Sequence, residues 1–110
     1  YFFYFKRDKL FNTTELAINE LINFCELNNC NVYFGLARSS SFWDPRLFYE
    51  NFKFSLSKYL GKHDLELIDF DQEIDHEKRE YYAPKGPHHS IKGLEIISNK
   101  LISIISNANK

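Results

Sequence analysis

Asn31-Val32-Tyr33-Phe34-Gly35-Leu36-Ala37 decides how this chain is read. It is a short apolar run set between two stretches of helical periodicity, and such a run reads as a strand buried on both faces. Before it, Ala17, Ile18, Leu21, Ile22 and Cys25 recur at helical spacing and give one apolar stripe. Asn12 reads as the N-cap of that helix, and Glu15, three residues on, completes a capping box. Asn28-Asn29 can adopt the left-handed conformation that ends a helix. After the run comes a polar loop, Arg38-Ser39-Ser40-Ser41. Asp44-Pro45 then starts a second helix, with Phe48, Phe52, Leu56 and Leu60 at intervals of four and Gly61 as its stop.

The alternation continues toward both ends. The aromatic run Tyr1-Phe2-Phe3-Tyr4-Phe5 reads as a first strand, and Leu65 to Phe70 as a third. The charged stretch Asp71 to Glu80 reads as a solvated loop or short polar helix. A turn-rich Pro84–Pro87 segment leads to Ser90, which can cap a last helix with its stripe at Leu94, Ile97, Leu101, Ile104 and Ile105. The order predicts an α/β fold: a three-layer, flavodoxin-like arrangement of a parallel sheet flanked by helices, as a single domain over residues 1–110. Three strands make a narrow sheet. The chain opens at Tyr1 and contains no Met, so the expectation is a partial domain, its sheet completed by an N-terminal portion or a partner chain.

Composition narrows the function classes. With 110 residues, 44% of them apolar, the chain can build one small core. A formal net charge of −1 gives no electrostatic basis for binding nucleic acid. Leu94 to Ile105 is interrupted by Glu95, Asn99 and Lys100 and is too short and polar to span a bilayer. Tyr1–Phe5 is too short for a signal core and has no basic region before it. Cys25 falls on the apolar helix face and Cys30 at the start of a strand. They read as two buried small hydrophobes in a reducing compartment, which places the protein in the cytoplasm. Asn12-Thr13-Thr14 matches a glycosylation acceptor but is better explained as a helix cap.

In a parallel sheet, ligands bind beyond the carboxyl ends of the strands. The loops there would be Lys6–Phe11, Arg38–Phe42 and Asp71–His89. The last of these runs into Pro84-Lys85-Gly86-Pro87-His88-His89-Ser90-Ile91-Lys92-Gly93, which sets an imidazole on a turn directly before a helix. His88 could be a general base, or a turn histidine bonded to backbone. His89 has a weaker claim to catalysis. Ser90 reads as an N-cap rather than a nucleophile, and Gly93 as a point of close helix packing. Ser39, Ser40 and Ser41 are the in-chain nucleophile candidates, but no glycine flanks them and loop solvation fits them better. Arg38 could hold an anionic substrate group or pair with an acid of Asp71–Glu80. Trp43 could stack on a sugar or act as a hydrophobic lid. Asp75-His76-Glu77 with His88-His89 could close a zinc site, but the spacing is loose, and no metal or cofactor is expected.

The histidine stretch resembles the last block of the SGNH/GDSL hydrolase superfamily, Asp-x-x-His-x-Ser/Thr-x-x-Gly before a terminal helix. The matching residues are His88, Ser90 and Gly93, followed by Leu94-Glu95-Ile96-Ile97. The resemblance implies an esterase or carbohydrate O-acyltransferase fragment with His88 as catalytic base and a serine nucleophile outside this chain. The small-molecule or carbohydrate ester would then meet Arg38, Ser39 and Trp43, candidates by their own chemistry and loop positions. Two departures stand against it. Lys85 occupies the place of the catalytic acid, and the Gly-Asp-Ser block and the Gly and Asn oxyanion blocks are absent. The alternative is a non-catalytic binding or assembly module that has lost the acid.

Overall fold

The structure, a computed structural model, describes residues 12–40, 46–86 and 88–108. They fall into two compact units, 12–36 with 47–68, and 37–40 and 46 with 69–108.

The first unit holds α1 (Asn12–Asn28), β1 (Phe34–Leu36), nearly all of α2 (Arg46–Gly61) and most of β2 (Leu67–Asp69). Its core is Ile18, Leu56 and Leu60, with Ile22, Phe34, Leu36, Phe52, Tyr59, Leu65 and Leu67 packed around them. Ile18 and Ile22 lie one turn apart on α1, as do Leu56 and Leu60 on α2, so both expected stripes meet in one core. The Tyr59 hydroxyl donates to the Glu15 carbonyl at 3.5 Å and ties α2 to α1. Ala17 and Leu21, expected in the α1 stripe, and Phe48, expected in that of α2, are exposed.

Both helices end in the same way. Asn29 (φ 54°) and Asp64 (φ 58°) take the left-handed conformation just past α1 and α2. Each is followed by a residue whose N–H reaches five positions back: Cys30 to the Cys25 carbonyl at 2.9 Å, and Leu65 to the Leu60 carbonyl at 3.0 Å. This is the Schellman arrangement, which satisfies helix-end carbonyls and brings the two side chains it links into contact. At α2 that pair is Leu60 and Leu65, both in the core. At α1 it is Cys25 and Cys30, joined as a disulfide with 4.6 Å between Cα atoms. The reading of the cysteines as free buried thiols is therefore corrected. They are bonded, and Cys30 is exposed.

The fold class is corrected as well. The chain is mostly helical with a two-stranded parallel sheet, not a three-layer α/β sandwich. The expected strand Asn31–Ala37 shrinks to Phe34–Leu36, and Leu65–Phe70 to Leu67–Asp69. The first expected strand, Tyr1–Phe5, lies outside the described residues. The physical reason lies in the alternation around β1. Val32, Phe34 and Leu36 are half-buried while Tyr33 and Gly35 are exposed. That is a strand covered on one face only, as in a small sheet packed on one side. Among the described residues, a single β1-α2-β2 crossover remains of the expected alternation.

In the second unit, the chain after β2 forms turns. The Phe70 carbonyl accepts from the N–H groups of Glu73 (3.1 Å) and Ile74 (2.9 Å). Asp69 and Asp75 each bond the backbone N–H two residues on, at 2.9 Å, the local turn that short acidic side chains favour. A 3₁₀ helix (Arg79–Tyr81) follows, then an antiparallel bridge between Tyr82 and His89, then α3 (Ile91–Ala108). Among the described residues here, Phe70, Ile74 and Tyr82 are the buried apolar side chains, with Arg38 and Ser40 the buried polar ones. Lys100, halfway along α3, donates to the Asp69 carbonyl at 2.6 Å and to Glu73 Oε1 at 2.7 Å, and its ammonium lies 5.4 Å from the Phe70 ring centre. No helix among the described residues is long and apolar enough to cross a membrane.

Candidate functional site

His88–Ser90 form the return arm of a short hairpin that leads into α3. Ala83 N–H donates to the His88 carbonyl at 2.8 Å and Ser90 N–H to the Tyr81 carbonyl at 2.9 Å. These two bonds flank Tyr82 and His89, making them a non-hydrogen-bonded pair whose side chains stand close on one face. Their ring centres are 4.9 Å apart. Gly86 supplies the positive φ (83°) that the turn requires.

The Arg38 backbone is the point on which this pair converges. The buried Tyr82 hydroxyl donates to its carbonyl at 2.9 Å, and His89 makes a hydrogen bond to the same residue's backbone. Burial pushes the Tyr82 phenol up to about 12, against the opposing pull of the Arg38 charge, so it stays protonated and acts as a donor. Burial also holds the His89 imidazole below its ordinary value. The bond to the Arg38 backbone opposes this, and the neighbouring His88 adds to it. His89 Nε2 is buried with no hydrogen-bond partner among the described residues.

A pH dependence follows. An imidazole that is harder to protonate in the folded chain binds fewer protons there than when unfolded. The stability linked to His89 is therefore full above its ordinary value of 6.5 and is lost as pH falls through its lowered folded value. Urea midpoints measured from pH 8 down to pH 5 should fall below about pH 6.5, and His89→Phe should flatten that part of the profile. A profile unchanged by His89→Phe would refute the assignment.

Ser90 is spent on structure. Its Oγ accepts from Gly93 N–H at 3.2 Å, the N-cap bond three residues into α3, and donates to the Glu80 carbonyl at 2.6 Å. Ser90→Ala removes both bonds and should cost about 1–2 kcal/mol, read as a lower urea midpoint with an unchanged slope. Gly93 is buried against the 3₁₀ helix, and a Cβ there would sit 2.3 Å from the Tyr81 carbonyl oxygen. Lys92 pairs with Glu80 across the same joint and lies 5.4 Å from the Tyr81 ring centre. That ion pair lowers the Glu80 pKa and raises that of Lys92.

The residues expected to carry chemistry are placed as follows. His88 is exposed on the turn, and among the described residues no carboxylate bonds or pairs with it. Lys85, where the acid would stand, is exposed too. Arg38 is buried, near enough to Tyr82 for its charge to act on the phenol, as Asp71 and Asp75 also do. Ser39 is half-buried, and Ser40, expected in a solvated loop, is 2% exposed. Ser41 and Trp43 lie outside the described residues. Among the described residues no group of three His, Cys, Asp or Glu side chains could hold a metal ion. Sequence reasoning missed Tyr82. Its signal was positional, since Tyr82 and His89 sit symmetrically about the Pro-Lys-Gly-Pro turn. Comparison with protein-family models, curated proteins and solved structures finds no match to this chain.

Proposed function

We propose that the chain is a non-catalytic binding or assembly module whose working surface is the outward strip of α3. One observation carries this reading. Ile91, Leu94, Ile102 and Ile105 are 77%, 52%, 62% and 43% exposed. With exposed Ser98 between them they step along α3 at intervals of three, four, four and three. Two apolar pairs of that period, with the small Ser98 between them, suit the apolar face of a partner helix. The histidine stretch supports the reading from the other side, because Ser90, Gly93 and His89 join α3 to the hairpin. The exposed Cys25–Cys30 disulfide favours an oxidising setting over the cytoplasm.

A second reading has one observation in its favour. His88 is exposed on the turn just before α3, where the SGNH/GDSL resemblance would place a general base for acyl transfer from a carbohydrate ester. Its serine and oxyanion donors would come from outside this chain.

A photoreactive side chain at position 98 separates the two. Carried by the whole chain in the cell that makes it, this probe should form a protein adduct that a probe at exposed Lys62 does not. The adduct should hydrolyse p-nitrophenyl acetate no faster than background, with or without His88→Ala. An adduct that turns over the ester and loses that activity on His88→Ala overturns the module in favour of acyl transfer. No adduct specific to position 98 overturns the proposed surface.

A further inference from the structure

We propose that the Cys25–Cys30 disulfide is a reversible, thiol-responsive staple on the end of α1, opened and closed without unfolding the core. Three observations support it. First, the backbone already brings the pair together. Asn29 in the left-handed region and the Cys30 N–H to Cys25 carbonyl bond at 2.9 Å form the Schellman end. The end of α2 holds the same backbone geometry with Leu60 and Leu65 in place of the cysteines. The geometry thus stands without a covalent link, and the two reduced thiols stay within reach of each other.

Second, the link is accessible. Cys30 is exposed and Cys25 half-buried, and neither belongs to the core of Ile18, Leu56 and Leu60. Exposed disulfides form the labile class, open to attack by an external thiolate. Third, the bridge closes a loop with a sequence separation of 5. So short a loop removes less entropy from the unfolded chain than a long-range bridge would, and the fold depends on it correspondingly less.

The chemistry balances with a dithiol as the reductant. One thiolate of the dithiol attacks the exposed Cys30 Sγ. The S–S bond breaks, and Cys25 leaves as a thiolate that takes up a proton. The second thiol of the dithiol then displaces Cys30 and closes a cyclic disulfide. Two electrons and two protons pass to the protein, giving two thiols. What the bridge fixes is the last turn of α1, which carries the exposed Phe24 and Leu27. The Asn28 amide, bonded to the Phe24 carbonyl at 2.8 Å, is a second side-chain brace there. The proposal stands independently of the α3 surface.

The test compares the whole chain before and after dithiothreitol, by thiol titration, intact mass and residue-level amide exchange. The oxidised chain should give no titratable thiol even when denatured. After reduction it should give two and gain two hydrogens in mass. Amides of 27–30 should then exchange about tenfold faster while those of Ile18 and Ile22 change less than about twofold. Oxidised glutathione should restore the first pattern, and Cys25→Ser/Cys30→Ser should reproduce the reduced one. Two free thiols in the untreated chain, loss of protection throughout the core on reduction, or no change at 27–30 would each overturn the proposal.

Discussion

Gly93→Ala is expected to destabilise the chain by about 3 kcal/mol, with a fall in melting temperature on the order of 10–20 °C. The added Cβ would meet the Tyr81 carbonyl oxygen at 2.3 Å and its carbon at 3.2 Å, both backbone atoms. A flexible side chain could swing aside. This carbonyl cannot, because it accepts the Ser90 N–H at 2.9 Å and so fixes the residue that caps α3. Moving it disturbs that bond, and moving α3 disturbs the Lys100 bonds to Asp69 and Glu73 further along the helix. Gly61 is the control, since a Cβ there meets nothing within 4 Å. Gly61→Ala should be neutral or stabilise by up to about 1 kcal/mol. Urea and thermal unfolding of the two variants beside the parent decide the matter. Similar small effects for both would mean that the joint between α3 and the 3₁₀ helix is not tight.

Leu60→Ala should cost about 3–4 kcal/mol. Leu60 is the one large apolar side chain among the described residues with 0% exposure, and it stands in the core with Ile18 and Leu56. Truncation loses the transfer energy of the removed carbons and leaves a hole whose neighbours sit on two helices and cannot fully close it. The backbone bond from Leu65 to the Leu60 carbonyl survives, so the loss reports on packing. Leu27→Ala, at a position 86% exposed, should stay within about 0.5 kcal/mol. Equal costs at the two positions would contradict the assigned core.

These expectations rest on parts of the fold that were unequally legible in the sequence. α1 and α2 were readable because their signals are local: Ile18 and Ile22, then Leu56 and Leu60, recur at helical spacing, and Asn29 can turn the chain. The strands were not. An apolar run such as Asn31–Ala37 suits a strand covered on one face or two, and the choice depends on how many helices pack against it, a property of the whole chain. Ser90 and Gly93 could be read because capping and close approach act within a few residues. Tyr82 could not, because its hydroxyl finds its acceptor 44 residues away at Arg38. The cysteine bridge was within reach of local reasoning: two cysteines five apart across a left-handed asparagine occupy the positions that a Schellman end brings together.

The paired helix ends also bear on the order of assembly. Cys25 and Cys30 need only their own segment to meet, whereas the Tyr59 tie to Glu15 joins residues 44 positions apart and must wait until Tyr59 has been made. Closing a short loop is faster than closing a long one. During synthesis in an oxidising environment, the bridge can therefore form on a nascent α1 before α2 exists to pack against it. Residues 25–30 would then enter collapse already crosslinked, and the search for the native core would begin from a helix with one end fixed.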